Sequence, residues 1–353
     1  MTTRTNIAVI GAGFAAKPHI LSLGDLAGEA HFSWFYGRTP GKLQEAARSL
    51  GVPAGTRLTS NLDDIFNDPA VQAVIVLTPA NAHLDIVRRA AEAGKHVLVE
   101  KPLEVDLHKA QKVVAVCEQH GVKLAVMLQH RLREAAVALR TLIATGEMGT
   151  LTSASATARW WRPQSYYDEP GRGTLARDGG GVLMTQAIHT IDLLLSFTGM
   201  PERVVGMVAT SPVHRMETED TAAALLQFAN GAIVTLEATT AAYPGYAEKL
   251  SLNFTRGTAT LESGELVCEF ADGRQLTVGE KQGSGFGANI MAFDHGPHKT
   301  VIADFLAAIR EGREPAVNGR SALNAQRLID AVIESSRTAS AANCKQVDRR
   351  AEA

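Results

Sequence analysis

Residues 6–16 read NIAVIGAGFAA, a short apolar run that meets glycine at Gly11 and again at Gly13. Gly11-Ala12-Gly13-Phe14-Ala15-Ala16 has the form of the dinucleotide-binding fingerprint with alanine in its last position. Each residue type answers a steric demand. Gly11 permits the tight turn out of the strand, Gly13 lets main chain approach a pyrophosphate, and Ala16 keeps helix and strand close. The N–H groups at the helix start then face the phosphates. Gly11, Gly13, Phe14 and Ala15 are the candidate contacts. Alone the match is weak, and its weight depends on a parallel βα array around it.

Working outward, that array is present. HFSWFYGR (31–38), AVQAVIVLTP (70–79), KHVLVEKP (95–102) and VKLAVML (122–128) are continuous apolar strand patterns. Between them lie amphipathic helix patterns, GKLQEAARSLG (41–51), NAHLDIVRRAAEAG (81–94) and DLHKAQKVVAVCEQHG (106–121), the last with Asp106 as its expected N-cap. Apolar strands alternating with such helices predict a Rossmann-type, doubly wound parallel sheet covered on both faces. After about Arg131 the pattern changes. One helix leads to a strand at about Leu151–Trp161, and seven closely spaced strand patterns follow from Val204 to Glu280, with turn signals at Asn230-Gly231 and Asp272-Gly273. Rapid succession favours an open, mostly antiparallel sheet. The prediction is an α/β domain over 1–127, an α+β domain over 128–345, and a frayed tail over 346–353.

The second strand ends in FYGRTP, where a ribose-selecting Asp or Glu would usually stand. Gly37, Arg38 and Thr39 occupy that turn instead. A guanidinium suits a 2′-phosphate, so NADP(H) is favoured over NAD(H), the alternative being a solvated arginine in a βα loop. Ligands of such sheets sit beyond the carboxyl ends of the strands. Thr78, Pro79, Asn81 and His83 end one strand; Glu100, Lys101 and Pro102 end another. Proline cannot continue the ladder, so the strand stops with Lys101 at its tip. There a lysine could serve a substrate hydroxyl, or be part of a surface loop.

Composition limits the other classes. The 353 residues are 45% hydrophobic and 20% charged, which suits a globular chain of two domains. A net charge of −2 offers nucleic acid nothing. No stretch approaches a membrane span, and MTTRTNIAVIG has no signal-peptide core. Cys117, Cys268 and Cys344 are far apart, which fits a reducing cytoplasm. No metal site is expected: His295 and His298 are close, but nothing beside them completes one.

A second constellation is RGTLARDGGGVLMTQAIHTIDLL (172–194). Gly179 to Gly181 permit close main-chain approach. Thr185, His189 and Asp192 follow at offsets of four and three, and would share one face of a single helix. A histidine on an apolar helix is more often core than catalyst.

Taken together, GAGFAA (11–16), VEKP (99–102) and GGGVLMTQAIHTIDLL (179–194) stand in the order and spacing of the Gfo/Idh/MocA oxidoreductases, the glucose–fructose oxidoreductase and inositol dehydrogenase family. The resemblance extends to 219–240 and 298–319, and so covers nearly the whole chain. Residues 160–181 resemble the branch acting on pyranoses and sugar-nucleotide uronates, with Leu175 where those members often have tryptophan. The resemblance implies hydride transfer between a nicotinamide and a secondary alcohol carbon of a sugar or cyclitol. It implies a homodimer or homotetramer formed through the C-terminal sheet. It identifies Lys101 as the catalytic lysine, in a Lys101–Pro102 bond that is often cis, and His189 as acid/base. Glu100 and Gln129 fall at nicotinamide positions, Arg131 near nicotinamide and substrate. Thr185 stands where relatives carry Asp or Asn, and its hydroxyl cannot titrate near neutrality. Tyr166 and Arg172 are further substrate-contact candidates, with packing the alternative for Tyr166. Two other activities stay open: an NAD(P)-dependent glycosidase or lyase that oxidises transiently, and a non-catalytic nucleotide sensor.

Overall fold

The structure is a computed structural model that describes residues 4–13, 15–281 and 294–344. The chain divides into two compact units. The first comprises 1–132, 176–179 and 294–323; the second comprises 133–175, 180–293 and 324–353.

In the first unit β1 (Thr5–Ile10), β2 (Ala30–Tyr36), β3 (Arg57–Thr59), β4 (Ala73–Val76), β5 (His96–Val99) and β6 (Leu124–Val126) form one sheet in the order β3-β2-β1-β4-β5-β6. Every pairing is parallel. The order reverses between β1 and β4, the place where open α/β sheets bind ligands. The predicted continuous apolar runs are the strands, because both faces are covered: all four residues of β4 are buried, as are Val97, Leu98 and Val99 of β5. Asp106 caps its helix as expected, accepting from the Lys109 N–H at 2.8 Å.

The units do not follow the single boundary expected at 127/128. The chain returns, and the helix Gly296–Glu311 joins the first unit. Its Val301, Ile302, Phe305 and Leu306 belong to the same buried cluster as Ile7, Val9, Phe35 and Leu98. Val126 then donates to the Val317 carbonyl at 3.0 Å, so the returning segment extends the β6 edge.

In the second unit β7 (Leu151–Arg159), β8 (Arg203–Ala209), β9 (Thr221–Gln227), β10 (Ile233–Thr239), β11 (Lys249–Phe254), β12 (Gly257–Glu262), β13 (Glu265–Phe270), β14 (Gln275–Val278) and β15 (Ala342–Asn343) form a second sheet. Its order is β14-β13-β12-β11-β7-β10-β9-β8-β15. All pairings are antiparallel except β7 with β10. Alternation sorts its faces. Val204, Ala224, Leu226, Val234 and Leu236 point inward, while Val205, Met207, Leu225 and Ile233 are exposed. The polar residues after Ala341 were expected to fray, yet Ala342 and Asn343 pair with β8, and Cys344 is buried. The tail expected over 346–353 lies outside the described residues. No single described helix is long and apolar enough to cross a membrane.

Candidate active site

The first turn of the first unit meets the steric demands read from it. Gly11 has φ +122°, and a Cβ there would lie 2.8 Å from the Leu77 carbonyl carbon. Nothing lies within 4 Å of a Cβ at Gly13, so the space above it is open to a ligand. Ala16 is fully buried at the start of the ten-residue helix Ala16–Asp25, with Ala15 at its N-cap. Phe14 lies outside the described residues. At the end of β2, Gly37 is buried while Arg38 and Thr39 are exposed. No carboxylate follows β2 at this turn.

Two further strand ends of this sheet hold buried polar atoms with no hydrogen-bond partner, Thr78 Oγ1 after β4 and Gln129 Oε1 after β6. Buried polar atoms ordinarily find partners, so these two mark a place for a polar ligand. Together with Gly11 and Gly13 they fit a dinucleotide laid across the switch point. Pro79 is exposed beside them.

Other candidates have structural work. His83 is buried, with Nδ1 3.0 Å from the Pro102 carbonyl and Nε2 2.8 Å from the Thr78 carbonyl. It ties two strand-end loops together and turns neither nitrogen to a nucleotide. Burial holds its imidazole below the usual range, against the raising effect of those carbonyls. Asn81 donates to the Ala176 carbonyl at 3.1 Å. Arg131 is buried, and its guanidinium donates to Ser321 Oγ at 2.9 Å and to the Ser321 carbonyl at 3.1 Å. Within its unit this arginine secures the returning chain.

Glu100 and Lys101 end β5, and the Lys101–Pro102 bond is cis, as the resemblance implied. Glu100 Oε1 lies 2.8 Å from His19 Nε2, and Oε2 accepts the Lys101 main-chain N–H at 3.2 Å. Burial raises this carboxyl, but the His19 hydrogen bond and the charges of His19, His298 and Lys101 outweigh it and lower it to about 2. Glu100 is an anion at any working pH. His298, which the sequence left beside His295, instead joins His19 and Glu100, with potential ligand atoms within 4.8 Å of one another. The sequence reading missed this cluster. Its one signal was His19, a histidine on the apolar face of the first helix.

In the second unit the main chain gathers the remaining candidates at one end of the sheet. Trp160 donates to Thr239, Arg162 to Thr240, Thr240 to Asp220, and Val182 to Glu219. The segments after β7 and β10 and before β9 are thereby joined to the short helix Val182–Thr185. Thr185 and His189 do not share one helix, contrary to the expectation. The first ends at Thr185, and Ile188–Thr198 begins after Gln186 and Ala187. Ala187 donates to Val182 five residues back, one residue beyond the α pattern. Thr185 Oγ1 donates back to the Gly181 carbonyl at 2.7 Å and also meets Gln186 Oε1. His189 and Asp192 are buried on the second helix.

Glu219 fixes the glycine turn beneath them. Its carboxylate accepts the Gly181 N–H at 3.0 Å and the Leu183 N–H at 3.1 Å. A Cβ at Gly181 would lie 1.7 Å from the Glu219 carbonyl oxygen, so only glycine fits. Burial raises the Glu219 carboxyl, against the lowering by those N–H groups. Tyr166 is half-buried, with the Arg172 guanidinium 4.1 Å from its ring centre. Arg172 also pairs with Glu169 at 2.5 Å.

Comparison with known proteins shows the family and the fold. Residues 5–128 match the family described as "Oxidoreductase family, NAD-binding Rossmann fold", and residues 136–260 match the GFO/IDH/MocA C-terminal domain. The chain is 25% identical to inositol 2-dehydrogenase of Rhizobium meliloti over 95% of its own length and 97% of the relative's. A solved structure of the WlbA dehydrogenase from Bordetella pertussis, with NADH and UDP-GlcNAcA, is similar at 26% identity and TM-score 0.82, covering 98% of this chain and 100% of that one. A levoglucosan dehydrogenase structure with NADH and levoglucosan is similar at 25% identity and TM-score 0.86, with the same coverage.

Proposed function

The chain belongs to the Gfo/Idh/MocA oxidoreductase family, and from that premise we propose that it moves a hydride between NADP(H) and a secondary hydroxyl or keto carbon of a sugar, sugar derivative or cyclitol. The observation that carries this reading is the end of β5. There Lys101 follows a pinned anion, beside strand ends that keep Thr78 Oγ1 and Gln129 Oε1 for a ligand. The relatives' substrates, inositol and levoglucosan, supply the polyol class. The Glu169 carboxylate already matches the charge of Arg172, which favours a neutral polyol over a phosphate.

A bound nicotinamide supplies the acceptor or donor of the hydride. The protein handles the proton. In the oxidative direction the C–H bond breaks with its electron pair, and the hydroxyl proton passes to the His189 imidazole as C=O forms. An imidazole is the side chain suited to exchanging a proton near neutral pH. The Lys101 ammonium steadies the developing alkoxide. Thr185 orders the turn before His189 through its bond to Gly181. Gly11, Gly13 and Ala15 hold the pyrophosphate, and Arg38 with Thr39 takes the 2′-phosphate.

The test is a polyol and sugar panel including myo-inositol and levoglucosan, run with both nucleotides. Lys101→Ala and His189→Ala should each lower kcat by about 10²–10⁴ with the fold intact. Near-native turnover by both would overturn the assignment. Arg38→Ala should weaken NADPH by about tenfold or more and leave NADH unchanged, since a charge-assisted bond is worth about 1.5–3 kcal/mol. The exposed Val205, Met207, Leu225 and Ile233 support self-association through the second sheet. Met207→Glu should lower the mass found by light scattering.

A further inference from the structure

His19 and His298 are buried histidines, one in the first helix and one in a helix nearly three hundred residues later. Neither belongs to the fingerprint, and both converge on Glu100. The His19 side chain is 0% exposed and that of Glu100 14%. The two imidazoles meet edge to face, their ring centres 5.3 Å apart.

The hydrogen bonds fix the proton. A carboxylate held as an anion can only accept, so His19 Nε2 must carry the hydrogen that lies between them. His19 Nδ1 is buried and has no hydrogen-bond partner. The Nε2–H toward Glu100 is therefore the one hydrogen bond of this ring, and it holds His19 against the carboxylate. The other Glu100 oxygen accepts the Lys101 N–H. A continuous path therefore runs from the helix that follows the glycine turn, through His19 and Glu100, to the main chain of Lys101.

We propose that His19 and His298 are positioning residues: with Glu100 they form a proton-held clasp that fixes the main chain of Lys101 to the helix behind the dinucleotide turn. A metal is the rival occupant, since two imidazoles and a carboxylate make a zinc-like set. Geometry favours the proton. At 2.8 Å the His19 and Glu100 atoms are at direct hydrogen-bond distance. His19 Nδ1 also lacks the outer partner that metal-bound histidines almost always have. The consequence for turnover rests on the role proposed for Lys101; the clasp itself does not.

The test compares His19→Leu with His19→Gln, whose amide can restore an N–H at similar reach. In His19→Leu the Glu100 carboxyl, followed by ¹³C NMR, should titrate at clearly higher pH than in the native protein. The Lys101 amide should exchange with solvent about tenfold faster or more. NADH binding by fluorescence should stay within about twofold, while kcat on whichever of myo-inositol or levoglucosan is turned over falls about tenfold or more. His19→Gln should recover most of each change. Native Glu100 titration and Lys101 exchange in His19→Leu would overturn the clasp, and so would a glutamine variant as impaired as the leucine. One zinc per chain that survives dialysis and is lost in His19→Leu would replace it with a metal site. If Lys101→Ala kept its turnover while the amide and carboxyl signals moved as expected, the proposed reaction would fail and the clasp would stand.

Discussion

Glu100 and Glu219 are both acids whose oxygens accept main-chain N–H groups beside a candidate site, yet their environments push them in opposite directions. Glu100 shares its oxygens between His19 and the Lys101 N–H, and the surrounding cationic groups take it down to about 2 against burial. Burial carries Glu219 upward against main-chain N–H groups, its own and those of Leu183 and Gly181, with Asp220 next to it. At Glu219 the main-chain N–H groups do not offset the desolvation of the carboxylate; at Glu100 a histidine donor with a lysine nearby does. The first acid is a fixed charge. The second is a cap whose charge the fold resists.

The glycine under Glu219 and those of the first turn give the largest expected effects. Alanine at Gly181 would drive a Cβ to 1.7 Å from the Glu219 carbonyl oxygen, which cannot move without breaking the Val182 N–H bond to it. A loss of about 3 kcal/mol or more is expected in denaturant unfolding. Gly11→Ala meets main chain at 2.8 Å and a positive φ, and should cost about 1–3 kcal/mol. Gly13→Ala should leave stability within about 0.5 kcal/mol, because nothing lies within 4 Å, yet weaken NADH binding. If Gly13→Ala destabilised the fold and left nucleotide affinity unchanged, Gly13 would be a structural glycine.

That contrast also marks what a sequence can disclose. The parallel strands, the fingerprint, the Asp106 cap and the Lys101 strand end were legible because local rules govern them: apolar runs, a glycine at a crowded turn, an acid before a helix. The helix Gly296–Glu311 was not, since an amphipathic helix does not name the surface it will cover. Nor was the break at Gln186 and Ala187, where no proline or glycine signals the longer bond from Ala187 to Val182. His83 and Arg131 carry the right chemistry in the right stretches. Only the fold reveals that carbonyls and Ser321 already occupy them. The His19–Glu100–His298 cluster joins three distant segments, and no spacing rule finds such a set.

The two acids predict opposite pH signatures. The folded value of Glu100 lies far below its ordinary 4.5. Its contribution is present above that ordinary value and is lost as pH falls toward about 2, an effect on the order of 3 kcal/mol. The folded value of Glu219 lies above 4.5, so the folded state holds that proton more tightly than the unfolded chain does. Its contribution is greatest below 4.5 and declines as pH rises through the raised value. Glutamine at 219 cannot titrate, and it sets an amide N–H against one of the two main-chain donors, so it should be less stable than the native protein at pH 4.5. That deficit should shrink as pH rises from 4.5 through the raised value, because only the native chain incurs the cost of ionising a buried carboxyl. The difference between the two unfolding free energies, followed by denaturant titration from pH 4.5 to 8, reads this directly. A deficit that grows with pH would mean that the Gly181 and Leu183 N–H groups do stabilise the anion against burial, and the distinction between the two acids would collapse.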